Sequence, residues 1–373
     1  MSDLNIPLAD PLADNAPYRA EIDAAIRKVV DSGRYILGPE VAQFESALAA
    51  AVHTTGAVGV GSGTDAIVLA LLAAGVGVGD EVLTVSHTAG PSVAAIRMIG
   101  AIPVLVDVED ETYCIDVAQL QSAWSPKVKA LLAVHLYGHP ADIVALKAFC
   151  DAHGVALIED CAQAQGALYH GAPVGSFGRA ACFSFFPTKN LGAIGDGGAV
   201  ASSDAAILNN LRMLRTYGWS VPQYSSMADG RCSRLDELQA AILSVKLAGL
   251  NSAVEARRRL AAHYRDGLRG LPLVLPIEKA GCEHAYHLFV VRTKVRPKLI
   301  AYLSSIGIVT GIHYPYPVHA QPGLASGARI SSNLAVTDRI APEILSLPFH
   351  TTLSLQSADR VIEALRNFFK SEQ

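Results

Sequence analysis

Apolar and polar positions along the chain follow two periods. Ala20–Ser32 places Ile22, Ala25, Ile26, Val29 and Val30 on one face of a helix, and Val41–Ala51 continues that spacing. Short apolar runs then alternate with helical patterns. Ala57–Val60, Glu81–Val85, Ile102–Val106, Ala130–Val134 and Ala156–Ile158 predict strands. Thr64–Ala74, Pro91–Gly100, Val117–Ala123 and Ile143–His153 predict the helices between them. Such alternation with short glycine-bearing joints predicts an α/β fold, a mostly parallel sheet between layers of helices. Ala181–Ser184 and Gly198–Ala201 predict two more strands, close enough to form a hairpin.

The texture changes after Arg234. Leu235–Leu260 predicts one long helix rich in Ala, Leu and Arg. Beyond it lie shorter strands, such as His287–Thr293, and several prolines. A domain boundary is expected near Leu250. This gives a large domain over 1–250 and a small α+β domain over 251–373, with the N-terminal segment a candidate to pack on the small one.

Composition narrows the class. The chain has 373 residues, 51% of them hydrophobic, enough for a large core and about two domains. Its longest apolar run, Ala66–Ala74, stops at Gly75, whereas a bilayer span needs about 20 residues. Met1–Pro11 carries Asp3, Asp10 and prolines and lacks the pattern of a secretion signal. The net charge of −4 comes without a basic arm or acidic tail, so nucleic acid is not an expected partner. The six cysteines are widely spaced, with no Cys-x-x-Cys pair and no zinc-type spacing. Reduced thiols in a cytoplasmic enzyme without a metal are expected.

Four clusters carry chemistry. Gly61-Ser62-Gly63-Thr64-Asp65-Ala66 joins a strand to a helix. Free amides at the helix start suit a phosphate, although such turns also serve merely to tighten a joint. Glu159-Asp160-Cys161-Ala162-Gln163 follows an apolar strand, at the end where open α/β sheets bind ligands. A carboxylate here can face a protonated pyridine nitrogen or simply cap a helix. Phe183 to Gly192 holds Ser184, Thr188 and Lys189 after an aromatic strand. A desolvated lysine is a usable nucleophile, but most lysines in loops are solvated. Gly311-Ile312-His313-Tyr314-Pro315-Tyr316-Pro317-Val318-His319 fits a substrate loop as well as it fits a rigid turn around a core histidine.

In this order the clusters resemble the DegT/DnrJ/StrS family of sugar aminotransferases, which have the type I, aspartate-aminotransferase-like pyridoxal-phosphate (PLP) fold. The resemblance runs from about Ile36 to Leu347. It also includes Leu37-Gly38-Pro39-Glu40-Val41, Val134-His135-Leu136-Tyr137-Gly138, Gly175-Ser176-Phe177-Gly178, Gly195-Asp196-Gly197-Gly198 and Ser233-Arg234-Leu235-Asp236-Glu237. It implies that Lys189 forms the Schiff base with PLP, Asp160 sits at the pyridine nitrogen and Gln163 near the ring hydroxyl. It implies a phosphate seat made by Ser184 with the amides of Gly63 and Thr64. His313, Tyr314 and Arg234 become candidates for substrate binding. The implied reaction moves an amino group from glutamate to a keto sugar on dTDP or UDP, in a homodimer with shared active sites. Relatives that act as dehydratases have histidine at the lysine position, so Lys189 favours transamination.

Two positions depart from the pattern. Cys232 stands where the family usually has an asparagine that reaches the partner's phosphate, and a thiol is a weaker donor. Ala89 stands where an aromatic ring usually covers PLP, which makes His87 either a replacement stacking face or a residue bonded to backbone. A cyclitol-type aminotransferase, a sugar dehydratase and a non-catalytic regulator on this scaffold are the competing expectations.

Overall fold

A computed structural model describes residues 5–331 and 333–372; Asp3, within the Met1–Pro11 segment, lies outside them. The strands named from the apolar runs form one sheet. They are β1 (Gly56–Val60), β2 (Glu81–Val85), β3 (Ile102–Val106), β4 (Val128–Val134), β5 (Ala156–Asp160), β6 (Ala180–Ser184) and β7 (Gly198–Ser202). Two later strands, β8 (Phe289–Arg292) and β10 (Ile344–Leu347), pair with each other. Between them β9 (Arg329–Ile330) rejoins the main sheet at its edge beside β3. The main sheet runs β1-β7-β6-β5-β4-β2-β3-β9. Only β7 opposes the others, pairing antiparallel with both β1 and β6.

All five residues are buried in each of β2, β5, β6 and β7, which explains why these segments read as largely continuous apolar runs rather than alternating ones. Two hydrophobic cores cover the sheet. One gathers Phe44, Leu83, Leu131, Leu157 and Phe183. The other gathers Ile67, Leu71, Ile96, Leu132 and Ile158. A third core holds Tyr264, Phe289, Leu303, Leu345, Phe349 and Leu365, and also Ile6 from the N-terminal segment. The helix Leu250–Leu268 links the cores, with Val254 in the first and Leu260 and Tyr264 in the third.

The long helix expected over Leu235–Leu260 is two helices, Glu237–Leu247 and Leu250–Leu268. The break has a steric use. A Cβ on Gly249 would fall 2.1 Å from the Tyr18 hydroxyl, so residue 249 is where the N-terminal segment presses on the chain. The strand expected over His287–Thr293 is confined to Phe289–Arg292, because His287 donates its amide to the carbonyl of Tyr137 instead of a ladder.

Candidate active site

The site sits at the carboxyl ends of the parallel strands. Residues 61–63 follow β1, residues 86–92 follow β2, His135 follows β4, Asp160 ends β5 and Ser184 ends β6. Cross-strand register fixes part of the geometry. Gly198 of β7 lies opposite both Val60 and Ser184, which brings the turn after β1 beside Ser184. A Cβ on Gly63 would fall 2.6 Å from Ser184 Cβ, and one on Gly198 would fall 2.3 Å from the Ser62 carbonyl oxygen. Only glycine permits that approach. Ser62 Oγ accepts from the Asp65 amide at 3.1 Å and caps the helix Gly63–Ala73. Gly63 and Thr64, in the first turn of that helix, line the cavity at the positive end of the helix dipole.

One cavity of about 330 Å³ is lined by Gly63, Thr64, Ser92, Asp160, Gln163, Ser184, Lys189 and Tyr314. The loop between β6 and β7 carries Lys189, whose amide donates to the Phe186 carbonyl at 2.8 Å. Burial of its ammonium pulls the Lys189 pKa down to about 8, against the attraction of Asp160, which raises it. Burial raises the Asp160 pKa, opposed by a hydrogen bond from Ser92, the Ala162 amide, Lys189 and His135. Gln163 is fixed at both ends. Its Oε1 accepts from the Tyr137 amide at 2.7 Å, and its Nε2 donates to the Tyr314 hydroxyl at 2.8 Å.

Most residues singled out from the sequence meet at this cavity. Gly63, Thr64, Asp160, Gln163, Ser184, Lys189 and Tyr314 line it. His313 stands behind Tyr314, its Nδ1 within 2.8 Å of Ser346 Oγ. His87 is not a cavity wall. It is fully buried, its Nε2 within 2.8 Å of the Tyr137 hydroxyl and its ring packed edge-on to that of Tyr137. The alternative of a backbone partner also gives way, since that partner is a side chain. At this wall stand Thr88, Ala89, Gly90, Pro91 and Ser92. Arg234 lies away from the cavity, donating to Cys232 Sγ at 2.9 Å on an exposed surface.

Sequence reasoning passed over Ser92, Thr88 and Tyr137. Ser92 Oγ donates to Asp160 Oδ2 at 2.8 Å, and Thr88 Oγ1 lies 3.1 Å from Ser92 Oγ. Tyr137 donates its hydroxyl to the His313 carbonyl and its amide to Gln163. Its φ of 59° is unusual for a residue with a side chain, a backbone feature that no local pattern announces. A separate group, His135, Glu159 and Cys161, brings potential ligand atoms within 4.8 Å of one another. Those of Glu159 and His135 are engaged within the protein. Glu159 accepts from the amides of Gly175, Phe177 and Gly178, and His135 Nδ1 accepts from the Ala141 amide.

The donor set fits pyridoxal phosphate. A cluster of amides and a hydroxyl suits a phosphate, a buried carboxylate suits a ring nitrogen, and a lysine of lowered pKa suits a carbonyl carbon. Strand order, the single antiparallel strand β7 and this cavity define a type I pyridoxal-phosphate fold of the aminotransferase class. The chain belongs to the DegT/DnrJ/EryC1/StrS aminotransferase family, whose model matches residues 17–366. It is 46% identical over 364 residues, 97% of this chain and 96% of the other, to a dTDP-3-amino-3,4,6-trideoxy-α-D-glucose transaminase of Streptomyces venezuelae. It is 41% identical over 362 residues, 97% of both chains, to a UDP-N-acetyl-3-dehydro-α-D-glucosamine 3-aminotransferase of Acidithiobacillus ferrooxidans. The crystal structure of S. venezuelae DesV in complex with a ketimine intermediate superposes with a TM-score of 0.95 at 45% identity, covering 98% of each chain. The protein is a transaminase of a pyridoxal-phosphate-dependent family. Among the described residues, no helix is long and apolar enough to cross a membrane.

Proposed function

We propose that the chain binds pyridoxal phosphate and transfers an amino group from glutamate to the keto group of a deoxy sugar carried on dTDP or UDP. The observation that carries this is the convergence of Lys189, Asp160, Gln163, Ser184 and the Gly63–Thr64 amides on one cavity. The names of the similar transaminases, which act on dTDP- and UDP-linked sugars, support the substrate class.

When bound, the cofactor supplies an electron sink for the bond broken at the substrate α-carbon. The protein supplies the rest. Lys189 Nζ is the amine that holds the cofactor, and once displaced it is the base that carries the proton. Its pKa of about 8 leaves a usable fraction neutral near pH 7. Asp160 keeps the ring nitrogen protonated. The Gly63 and Thr64 amides and Ser184 Oγ seat the phosphate, and Gln163 is the partner for the ring hydroxyl. One lysine serving both half-reactions implies ping-pong kinetics.

A division of labour follows the chain. Residues 1–250 build the cofactor pocket, and 251–373 bring His313 and Tyr314 to it as substrate contacts. Arg234 lies outside the cavity of its own protomer, so its substrate role requires a homodimer with shared sites. A cytoplasmic location matches this chemistry. The test is to purify the protein with pyridoxal phosphate, follow bleaching of its visible band by glutamate, and assay dTDP- and UDP-keto sugars. Lys189→Ala is expected to lose the band and turnover together. Steady-state transamination by that variant would overturn the assignment of Lys189.

A further inference from the structure

Asp160 has only 5% of its surface exposed, and burial drives a carboxylate towards its neutral acid. A neutral acid at this place offers a ring nitrogen no anion. What opposes burial is therefore part of the chemistry. The first opposing contact is Ser92, whose Oγ donates to Asp160 Oδ2 at 2.8 Å. Since that hydroxyl gives its hydrogen to Asp160, the 3.1 Å contact between Thr88 Oγ1 and Ser92 Oγ has Thr88 as donor. The result is a directed chain, Thr88 to Ser92 to Asp160, in which each hydroxyl polarises the next. All three residues are buried, so water does not compete.

Two further observations favour a role beyond packing. Ser92 lies in the first turn of the helix Gly90–Met98 and lines the same cavity as Lys189. The segment Thr88–Ser92 places no ring at Ala89, so its polar contribution to the cavity is this pair of hydroxyls. The remaining charged groups acting on Asp160 are Lys189 and His135, and the charge of Asp160 in turn raises the pKa values of Tyr314, Cys161 and Cys182. The Ala162 amide holds the other oxygen at 3.1 Å.

We propose that Ser92, backed by Thr88, is a positioning residue for the transamination: its hydroxyl holds Asp160 as the anion that keeps the proton on the cofactor's ring nitrogen. This rests on pyridoxal phosphate occupying the Lys189 cavity. Removing the Ser92 hydroxyl makes Asp160 more basic, so the shared proton shifts from the ring nitrogen towards the carboxylate.

The experiment reconstitutes the full-length enzyme with pyridoxal phosphate labelled with ¹⁵N in the ring and follows the ¹⁵N signal against pH. Wild type, Ser92→Ala, Ser92→Cys and Thr88→Val are compared. Wild type is expected to give the protonated-pyridine signal at neutral pH. Ser92→Ala is expected to move it towards neutral pyridine and to lower kcat roughly 10- to 100-fold with little change in KM for glutamate, as for loss of a hydrogen bond to a charged group. Ser92→Cys, similar in size but a weak donor, is expected to behave like Ser92→Ala, and Thr88→Val to shift the signal less in the same direction. A wild-type ¹⁵N signal and kcat in Ser92→Ala would sink the proposal, whatever the melting temperature. Should Ser92→Ala fail to fold, an unshifted signal in Ser92→Cys and Thr88→Val would do the same. A wild-type protein that takes up no coenzyme overturns the functional assignment as well, which separates the two failures.

Discussion

A lysine that must release its proton near neutrality needs surroundings that disfavour its charge without removing its partner altogether. Lys189 meets both conditions, since burial lowers its pKa to about 8 and Asp160 holds it from falling further. The prediction belongs to this one side chain. In the cofactor-free protein, reductive methylation of Lys189 read by mass spectrometry is expected to rise with pH around a midpoint near 8. Asp160→Asn removes the opposing charge and is expected to move the Lys189 midpoint lower still. A midpoint at the ordinary lysine value, or one raised by Asp160→Asn, would contradict the balance described. The sequence displayed Lys189 after an aromatic strand but not its desolvation, which depends on walls from residues 62–64 and 88–92.

Neighbouring carboxylates at the end of β5 do different work because successive side chains in a strand point to opposite faces. Asp160 faces the cavity. Glu159, fully buried, turns the other way and gathers the loop before β6, accepting from Gly178 at 2.7 Å, Gly175 at 2.8 Å and Phe177 at 2.9 Å. The fourth bond, from His135 Nε2 at 3.1 Å, is fixed in direction because His135 Nδ1 already accepts from Ala141. Glu159→Gln would turn an amide NH₂ towards at least one of these donors. It is expected to cost about 2–3 kcal/mol of stability and to speed amide exchange at Gly175, Phe177 and Gly178. Urea denaturation and exchange measurements check both. Unchanged exchange there would mean the loop does not depend on Glu159. At this scale the apolar runs made the strands legible, and the Glu159-Asp160 pair marked the functional strand end. Hydrogen bonds joining Ser92 to Asp160, 68 positions apart, and Tyr137 to Gln163, 26 apart, were not legible, because no local pattern encodes such contacts. His87 misled for the same reason: its place beside Ala89 in sequence suggested the cavity, while the strand end turned its ring into the interior.

Across the whole molecule, burial favours the neutral form of six of the twelve histidines. Burial lowers the pKa of His87 to about 4, and also lowers those of His139, His284, His287, His313 and His350. These residues are spread from the end of β2 to the segment after β10, so protonation strains several parts of the fold together. In the unfolded chain each titrates near 6.5. As pH falls below that value the unfolded state takes up protons that the folded state refuses. The unfolded state then binds more protons, so stability rises with pH through this window and is lost on acidification. Each histidine that stays neutral adds roughly 1.4 kcal/mol per pH unit to the slope. The raised pKa of Asp160 acts with the opposite sign, but it is a single group. Carboxylates with lowered pKa, such as Asp110 and Glu81, begin to matter only below the histidine window. The expected result is a steep loss of urea stability between about pH 6.5 and 5, with a slope of more than one proton. His87→Gln is expected to flatten the slope by up to one proton while lowering stability at pH 7.5, since Gln leaves the Tyr137 hydroxyl less well packed. A flat profile over this window would mean that these imidazoles accept protons in place, and that the interior is wetter than its geometry implies.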